Sequence, residues 1–213
     1  MSLWISSAIT LLLLQTVQCQ AQEAVADNIP APIEGAAAPL EKLPPRLVVA
    51  QKDWDLTQAY LDVFTILSNE NSCSSFYGGP RTATTVLNRF FTRVKTRPLV
   101  REISFQMIGT PLLIRDSSSG AFYRLFDRAI VNSNGSFYQR RADPMRKFPS
   151  DVGSFAPASR PARALILLHE LGHLIQGDDG AWLIPDDGHD GEQSRANTLR
   201  VQQACRAQLK NLQ

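Results

Sequence analysis

Apolar residues recur at helical spacing in four parts of the chain, and these parts predict its helices. The first two predicted helices cover residues 53–69 and 82–95. A third begins after Ser159, whose hydroxyl suits a helix N-cap, and continues through a long apolar run. A fourth starts near residue 191 and carries Cys205 on its apolar seam.

Two stretches between these helices break the helical period. Residues 71–80 are rich in serine and glycine and predict an irregular loop. After Pro98, short apolar runs alternate with turn residues and predict strands. Among these runs, Asn134-Gly135 predicts a two-residue hairpin turn, because both residue types tolerate the positive φ of such a turn. Helices followed by a separate run of strands predict an α+β domain.

The third predicted helix carries the motif His169-Glu170-Leu171-Gly172-His173. Residues four apart project from one helix face, so His169 and His173 can bring two ring nitrogens to one metal ion. The chain has only three histidines, and two of them lie in this motif. Gly172 costs about 1 kcal/mol inside a helix relative to alanine, which indicates that another segment approaches closely there. The motif therefore predicts a zinc site with Glu170 beside it.

At these residues the chain resembles the zincin metallopeptidases. The resemblance implies a single zincin-like domain, with a small twisted sheet packed on the active-site helix and a second C-terminal helix. It also implies hydrolysis of a peptide or protein substrate, with Zn²⁺ activating a water molecule and Glu170 acting as general base. In such a fold an edge strand above the metal helix pairs with the extended substrate, and the hairpin at Asn134-Gly135 is the strand we expect to do so.

The third zinc ligand has several candidates downstream of the motif. We favour Glu192, which lies close to the spacing of the gluzincin pattern, with Asn197 orienting the site from the same helix. His189 is the main competitor, either as the ligand itself or as a donor to the oxyanion of the reaction. Three acids remain open as well: Asp179, which fits a metzincin-like pattern, Asp187 and Asp190.

The ends of the chain predict export from the cell. Residues 1–21 contain a short apolar run followed by small residues, and they predict a signal peptide. Residues 22–45 are rich in proline and alanine and predict a flexible linker, which leaves 46–213 as the metallohydrolase domain. We expect a secreted or periplasmic protein without stable membrane insertion after signal cleavage, or a membrane-anchored one if the signal stays uncleaved. In such a compartment Cys73 and Cys205 are expected to form a disulfide.

The net charge bears on the choice of partner, and a second function competes with the enzyme. A formal net charge of +2 is too small to indicate binding of nucleic acid. The rival is a secreted binding or structural protein whose zinc holds the C-terminal part together without catalysis. A site closed by four protein ligands would favour that rival, whereas an open site would favour the enzyme.

Overall fold

A computed structural model describes residues 53–99, 103–140, 152–188 and 191–213. These residues all fall within one compact unit, 39–213, and within them the chain forms six helices and two small sheets. The predicted α+β class is therefore confirmed. The predicted signal peptide, the linker, His189 and Asp190 lie outside the described residues.

The elements follow one another along the chain as three helices, five strands and three more helices. They are α1 (Trp54–Leu67), α2 (Ser72–Phe76), α3 (Gly79–Phe91), β1 (Val94–Arg97), β2 (Phe105–Ile108), β3 (Leu112–Arg115), β4 (Phe122–Leu125), β5 (Arg128–Asn132), α4 (Arg160–Gly172), α5 (Gly191–Ala204) and α6 (Arg206–Lys210).

Side-chain caps explain where α1 and α2 begin. They also explain why the structure has a helix in a segment that the sequence predicts as a loop. The Asp53 side chain accepts a hydrogen bond from Leu56 N–H at 3.1 Å and starts α1 as predicted. The segment predicted as a loop contains the short helix α2. The Asn71 side chain caps this helix by accepting hydrogen bonds from Cys73 N–H and Ser74 N–H in a capping box. The prediction for 82–95 is too long at its end.

Strand β1 occupies the end of that predicted helix because Val94–Arg97 pairs in parallel with β5. The other side of β5 pairs antiparallel with β2, so the sheet order is β1-β5-β2 with β5 in the centre. The second sheet contains β3 and β4 in an antiparallel pair. Tertiary pairing has overridden the helical spacing of this short segment.

The predicted hairpin at Asn134-Gly135 is wrong. Asn132 ends β5, and its side-chain oxygen accepts hydrogen bonds from Asn134 N–H at 3.0 Å and Leu99 N–H at 2.9 Å. A Cβ on Gly135 would lie 3.2 Å from Ser104 Cα, so glycine here permits a close chain approach rather than a positive φ. With β5 paired on both sides, this segment has no free strand edge for a substrate, and that expectation is corrected too.

Helix α4 lies in the centre of the helical layer and packs against α1, α3, α5 and α6. Its apolar residues from Leu165 to Leu168 are buried in the core. Its first turn is tied to α1 by two ion pairs, Arg160 with Asp62 and Arg163 with Asp55, each closed by two hydrogen bonds. The helix that carries the motif is thus held on several sides.

Cys73 and Cys205 form the predicted disulfide, with their Cα atoms 4.3 Å apart. The bond joins α2 to the end of α5, across a sequence separation of 132 residues. A disulfide fits an oxidising, extracellular location. None of the helices in the described ranges has the length and apolar character needed to cross a membrane.

The disulfide should contribute measurably to stability. We expect the double variant Cys73→Ala/Cys205→Ala to lose about 2–5 kcal/mol of unfolding free energy, because the unfolded chain is released from a long closed loop. Guanidinium denaturation of wild type and variant measures the difference. Ser75→Ala on the exposed face of α2 is the control and should unfold like wild type. Equal midpoints for the double variant and wild type would contradict the prediction.

Candidate metal centre

Helix α4 brings the motif to its own C-terminal end. Ser159 caps the helix by accepting a hydrogen bond from Ala162 N–H at 3.4 Å, and Pro161 lies in the first turn where its missing N–H costs nothing. His169 lies in the last turn, and His173 is the C-cap residue, still with right-handed helical φ and ψ. Both side chains are buried and point to one side, as residues four apart on a helix should.

After His173 the chain runs alongside β4 and then folds back over the helix end. Ile175 bridges Tyr123 of β4, and Gln176 bridges Trp182. Ile184 then packs on Gly172, where an added Cβ would lie 3.0 Å from the isoleucine side chain. The close approach predicted at Gly172 is therefore present, and it delivers the following residues to the two histidines.

Asp187 is the residue delivered there. Its Oδ2 lies 3.0 Å from Nε2 of His169, and its Oδ1 lies 3.7 Å from Nε2 of His173. The two Nε2 atoms are 3.1 Å apart. These three residues form the group of metal-ligating side chains that the described part of the chain contains, and they could hold a metal ion.

The spacing of these atoms fits a small cation. Two ligands that each lie about 2.1 Å from a tetrahedral zinc are about 3.4 Å apart, close to the separations seen here. A carboxylate has no proton to donate and a neutral imidazole carries only one. Three such groups that converge on one point are held together either by the protons they share or by a metal ion between them. Nδ1 of His173 is buried and makes no hydrogen bond with the described groups.

The pKa values of Asp187 and Glu170 are shifted in opposite directions. Burial acts to raise the pKa of Asp187, but hydrogen bonds with His169, His173 and Ser194 outweigh it and hold that pKa well below its usual range. Asp187 is therefore an anion. Burial raises the pKa of Glu170 above its usual value, against the opposing charges of the two histidines. A carboxylate with a raised pKa accepts a proton more readily than an ordinary one.

Glu170 follows His169 directly in α4, and the charges of His169, His173 and Asp187 all act on its pKa. Its side chain is half-buried and makes no hydrogen bond with the described residues. Glu170 is therefore adjacent to a member of the group in the sequence, and no hydrogen bond within the described part of the chain holds its side chain.

Helix α5 orients two of the three residues. Asn197 is buried, and its amide donates to Oδ1 of Asp187 and to the Pro185 carbonyl, the latter at 2.8 Å. Thr198 Oγ1 lies 3.0 Å from Nδ1 of His169. Asn197, which we expect to orient the site, thus contacts the group through Asp187.

Arg124 of β4 supports the site from the other side. Its Nε donates to the His173 carbonyl at 2.8 Å, and its guanidinium forms an ion pair with Asp186. The same guanidinium lies over the Trp182 ring, 4.2 Å from its centroid. Arg124 thus connects the end of the motif helix to the loop that carries Asp187.

The favoured third ligand of the sequence, Glu192, does not join the group. It lies in the first turn of α5 as predicted, but it is exposed, and the group contains Asp187 in its place. Asp179 is also exposed and accepts a hydrogen bond from Ala181 N–H in its own loop. The role of His189 remains a prediction, since it lies outside the described residues.

Sequence reasoning missed Thr198 and Arg124. Thr198 follows Asn197 directly in α5, so a search of the polar residues next to Asn197 in the sequence could have found it. Arg124 had no comparable signal, because its contact with the motif depends on how β4 lies beside Ile175.

Comparisons with protein-family models, with curated proteins and with solved structures find no match to this chain. The site is therefore interpreted from its own geometry.

Arg124 should stabilise the end of α4. Arg124→Met should lower the unfolding free energy by about 1–3 kcal/mol, because the buried His173 carbonyl loses its charged donor. Chemical denaturation measures the loss. Arg128→Met changes an exposed arginine of β5 and is the matched control, expected to stay near wild type. Equal losses in the two variants would show that the contact with His173 is unimportant.

Proposed function

We propose that this protein is an exported zinc metallohydrolase, with zinc bound by His169, His173 and Asp187 and with Glu170 as general base. The observation that carries the proposal is the convergence of the Nε2 atoms of His169 and His173 with the carboxylate of Asp187, at separations of 3.0, 3.1 and 3.7 Å. The histidines lie at the end of α4, which also carries Glu170, and Asp187 lies in the loop before α5. Imidazole and carboxylate are ligands that zinc accepts in a tetrahedral site.

Three ligands from the described residues are the number that a catalytic zinc site uses. Catalytic zinc typically has three protein ligands and a fourth position for water or substrate, whereas structural sites are closed by four. The described residues supply three. Asp187 replaces Glu192 as the proposed third ligand, because Asp187 lies in the group and Glu192 does not.

Each residue then has a chemical role. Zinc, when bound, would lower the pKa of a water molecule to about 7 and polarise a carbonyl oxygen. Asp187 and the histidines would hold the ion, and Glu170 would take the proton from the attacking water and pass it to the leaving group. The raised pKa of Glu170 suits both steps.

A peptide or protein is the substrate we propose. The support is the resemblance of His169-Glu170-Leu171-Gly172-His173 to the zincin motif, together with a disulfide that suits a protein acting outside the cell. A structural zinc is the second candidate. It is favoured by one observation, that the same three residues connect α4 to the loop before α5, as a structural metal would.

Metal analysis tests the ligands. The purified protein should bind about one zinc, and His169→Ala or His173→Ala should abolish binding. Asp187→Asn should weaken zinc affinity at least about 100-fold, more than the loss of an orienting contact costs, because it removes a charged ligand. Competition with a chromophoric chelator measures the affinity.

Two further variants sharpen this test. Asp178→Asn changes an exposed acid of the adjoining loop and should leave zinc affinity unchanged. Glu192→Gln decides between the carboxylates: if it loses zinc while Asp187→Asn keeps it, the ligand set proposed here is wrong.

Replacement of Glu170 separates the enzyme from the structural alternative. Glu170→Gln should keep zinc and the fold, while hydrolysis of a broad peptide library should fall at least about 100-fold, because the general base is lost. Mass spectrometry of the library and zinc analysis of the same samples give both results. A zinc-loaded wild type that cleaves no member of the library would favour the structural site.

A further inference from the structure

We infer that Thr198 is a positioning residue that fixes the tautomer of His169 and so directs its Nε2 lone pair at the metal. The inference rests on the proposed function, since it concerns the same ion. Thr198 lies on α5, and its Oγ1 is 3.0 Å from Nδ1 of His169. It touches the ligand and not the ion, so its effect has to pass through the imidazole ring.

The direction of this hydrogen bond follows from counting protons. A threonine hydroxyl has one proton, and that of Thr198 is donated to the Ser194 carbonyl at 2.9 Å. The hydroxyl therefore has only lone pairs to offer His169. It accepts from Nδ1–H, and a neutral His169 with its proton on Nδ1 has none on Nε2.

The arrangement on the other side of the ring agrees with this assignment. Nε2 of His169 faces Oδ2 of Asp187 at 3.0 Å and Nε2 of His173 at 3.1 Å. A bare nitrogen lone pair is repelled by a carboxylate, so either a proton or a metal ion has to lie between Nε2 and Oδ2, and a metal ion can take the place of the proton. Thr198 thus prepares His169 for a metal ion. A hydrogen bond to the outer nitrogen of a metal-binding histidine fixes ring orientation and raises its basicity as a ligand.

The helix makes Thr198 a stiff support. Its β-branched side chain has few rotamers in a helix, and its bond to Ser194 holds it in one of them. Valine has nearly the same shape without the hydroxyl, and serine keeps the hydroxyl without the methyl group. The two replacements therefore separate the hydrogen bond from the packing.

Zinc affinity tests the inference. Thr198→Val should bind zinc about 10- to 100-fold more weakly than wild type, the usual cost of losing such a contact. Thr198→Ser should stay within about threefold of wild type. Thr65→Val is the matched control, because Thr65 makes the same bond to the carbonyl four residues earlier, on the exposed face of α1. It should bind zinc like wild type.

A second readout follows the proton itself. In the zinc-loaded protein, NMR of the ¹⁵N-labelled imidazole should show a slowly exchanging Nδ1–H on His169 in wild type and Thr198→Ser. In Thr198→Val this proton should exchange faster, because its acceptor is gone. The His169→Ala spectrum assigns the signal.

The outcomes separate the two claims. If wild type binds zinc and Thr198→Val binds it equally well, with the same slow proton, the tautomer inference is overturned while the proposed function stands. An equal loss in Thr198→Ser and Thr198→Val would overturn it as well, since the hydroxyl would then be irrelevant. If wild type binds no zinc, the proposed function fails and the inference fails with it.

Discussion

The packing of Ile184 on Gly172 is the contact on which the rest of the site depends. A Cβ at residue 172 would press on that side chain at 3.0 Å, so a larger residue would push the returning chain away from the helix end. The segment that carries Ile184 reaches this position because Ile175 bridges Tyr123 of β4 and Gln176 bridges Trp182. One small residue within the motif thus determines how near Asp187 comes to the two histidines.

Two adjacent acids approach the motif, and the structure gives them different partners. Arg124 forms an ion pair with Asp186 and also donates a hydrogen bond to the His173 carbonyl. Asp187 remains for the histidines, and its depressed pKa keeps it anionic. Burial raises the pKa of Glu170, against the opposing charges of the two histidines. Charge is therefore distributed so that one acid supports the fold, one belongs to the group that could hold a cation, and one has a raised pKa.

Features governed by local geometry could be predicted from the sequence, and those governed by loops could not. The spacing of His169 and His173 follows from the helix, so the motif predicted a shared face. The sequence favours Glu192 because it predicts a second helix that could supply the third ligand. The acid that lies beside the histidines is Asp187, in the loop before α5, where no periodicity indicates a direction. The hairpin predicted at Gly135 is wrong for a related reason. The nearby backbone of Ser104, and not the geometry of a turn, requires a glycine there.

Adjacent positions on α5 serve different members of the site. Asn197 holds the carboxylate of Asp187, and Thr198 holds the imidazole of His169. Because both belong to one rigid helix, a rotation of α5 about its axis would displace both supports together. The disulfide at Cys205 anchors the far end of that helix to α2. The support that Asp187 and His169 receive from α5 thus depends on the orientation of one helix, which a covalent bond restrains.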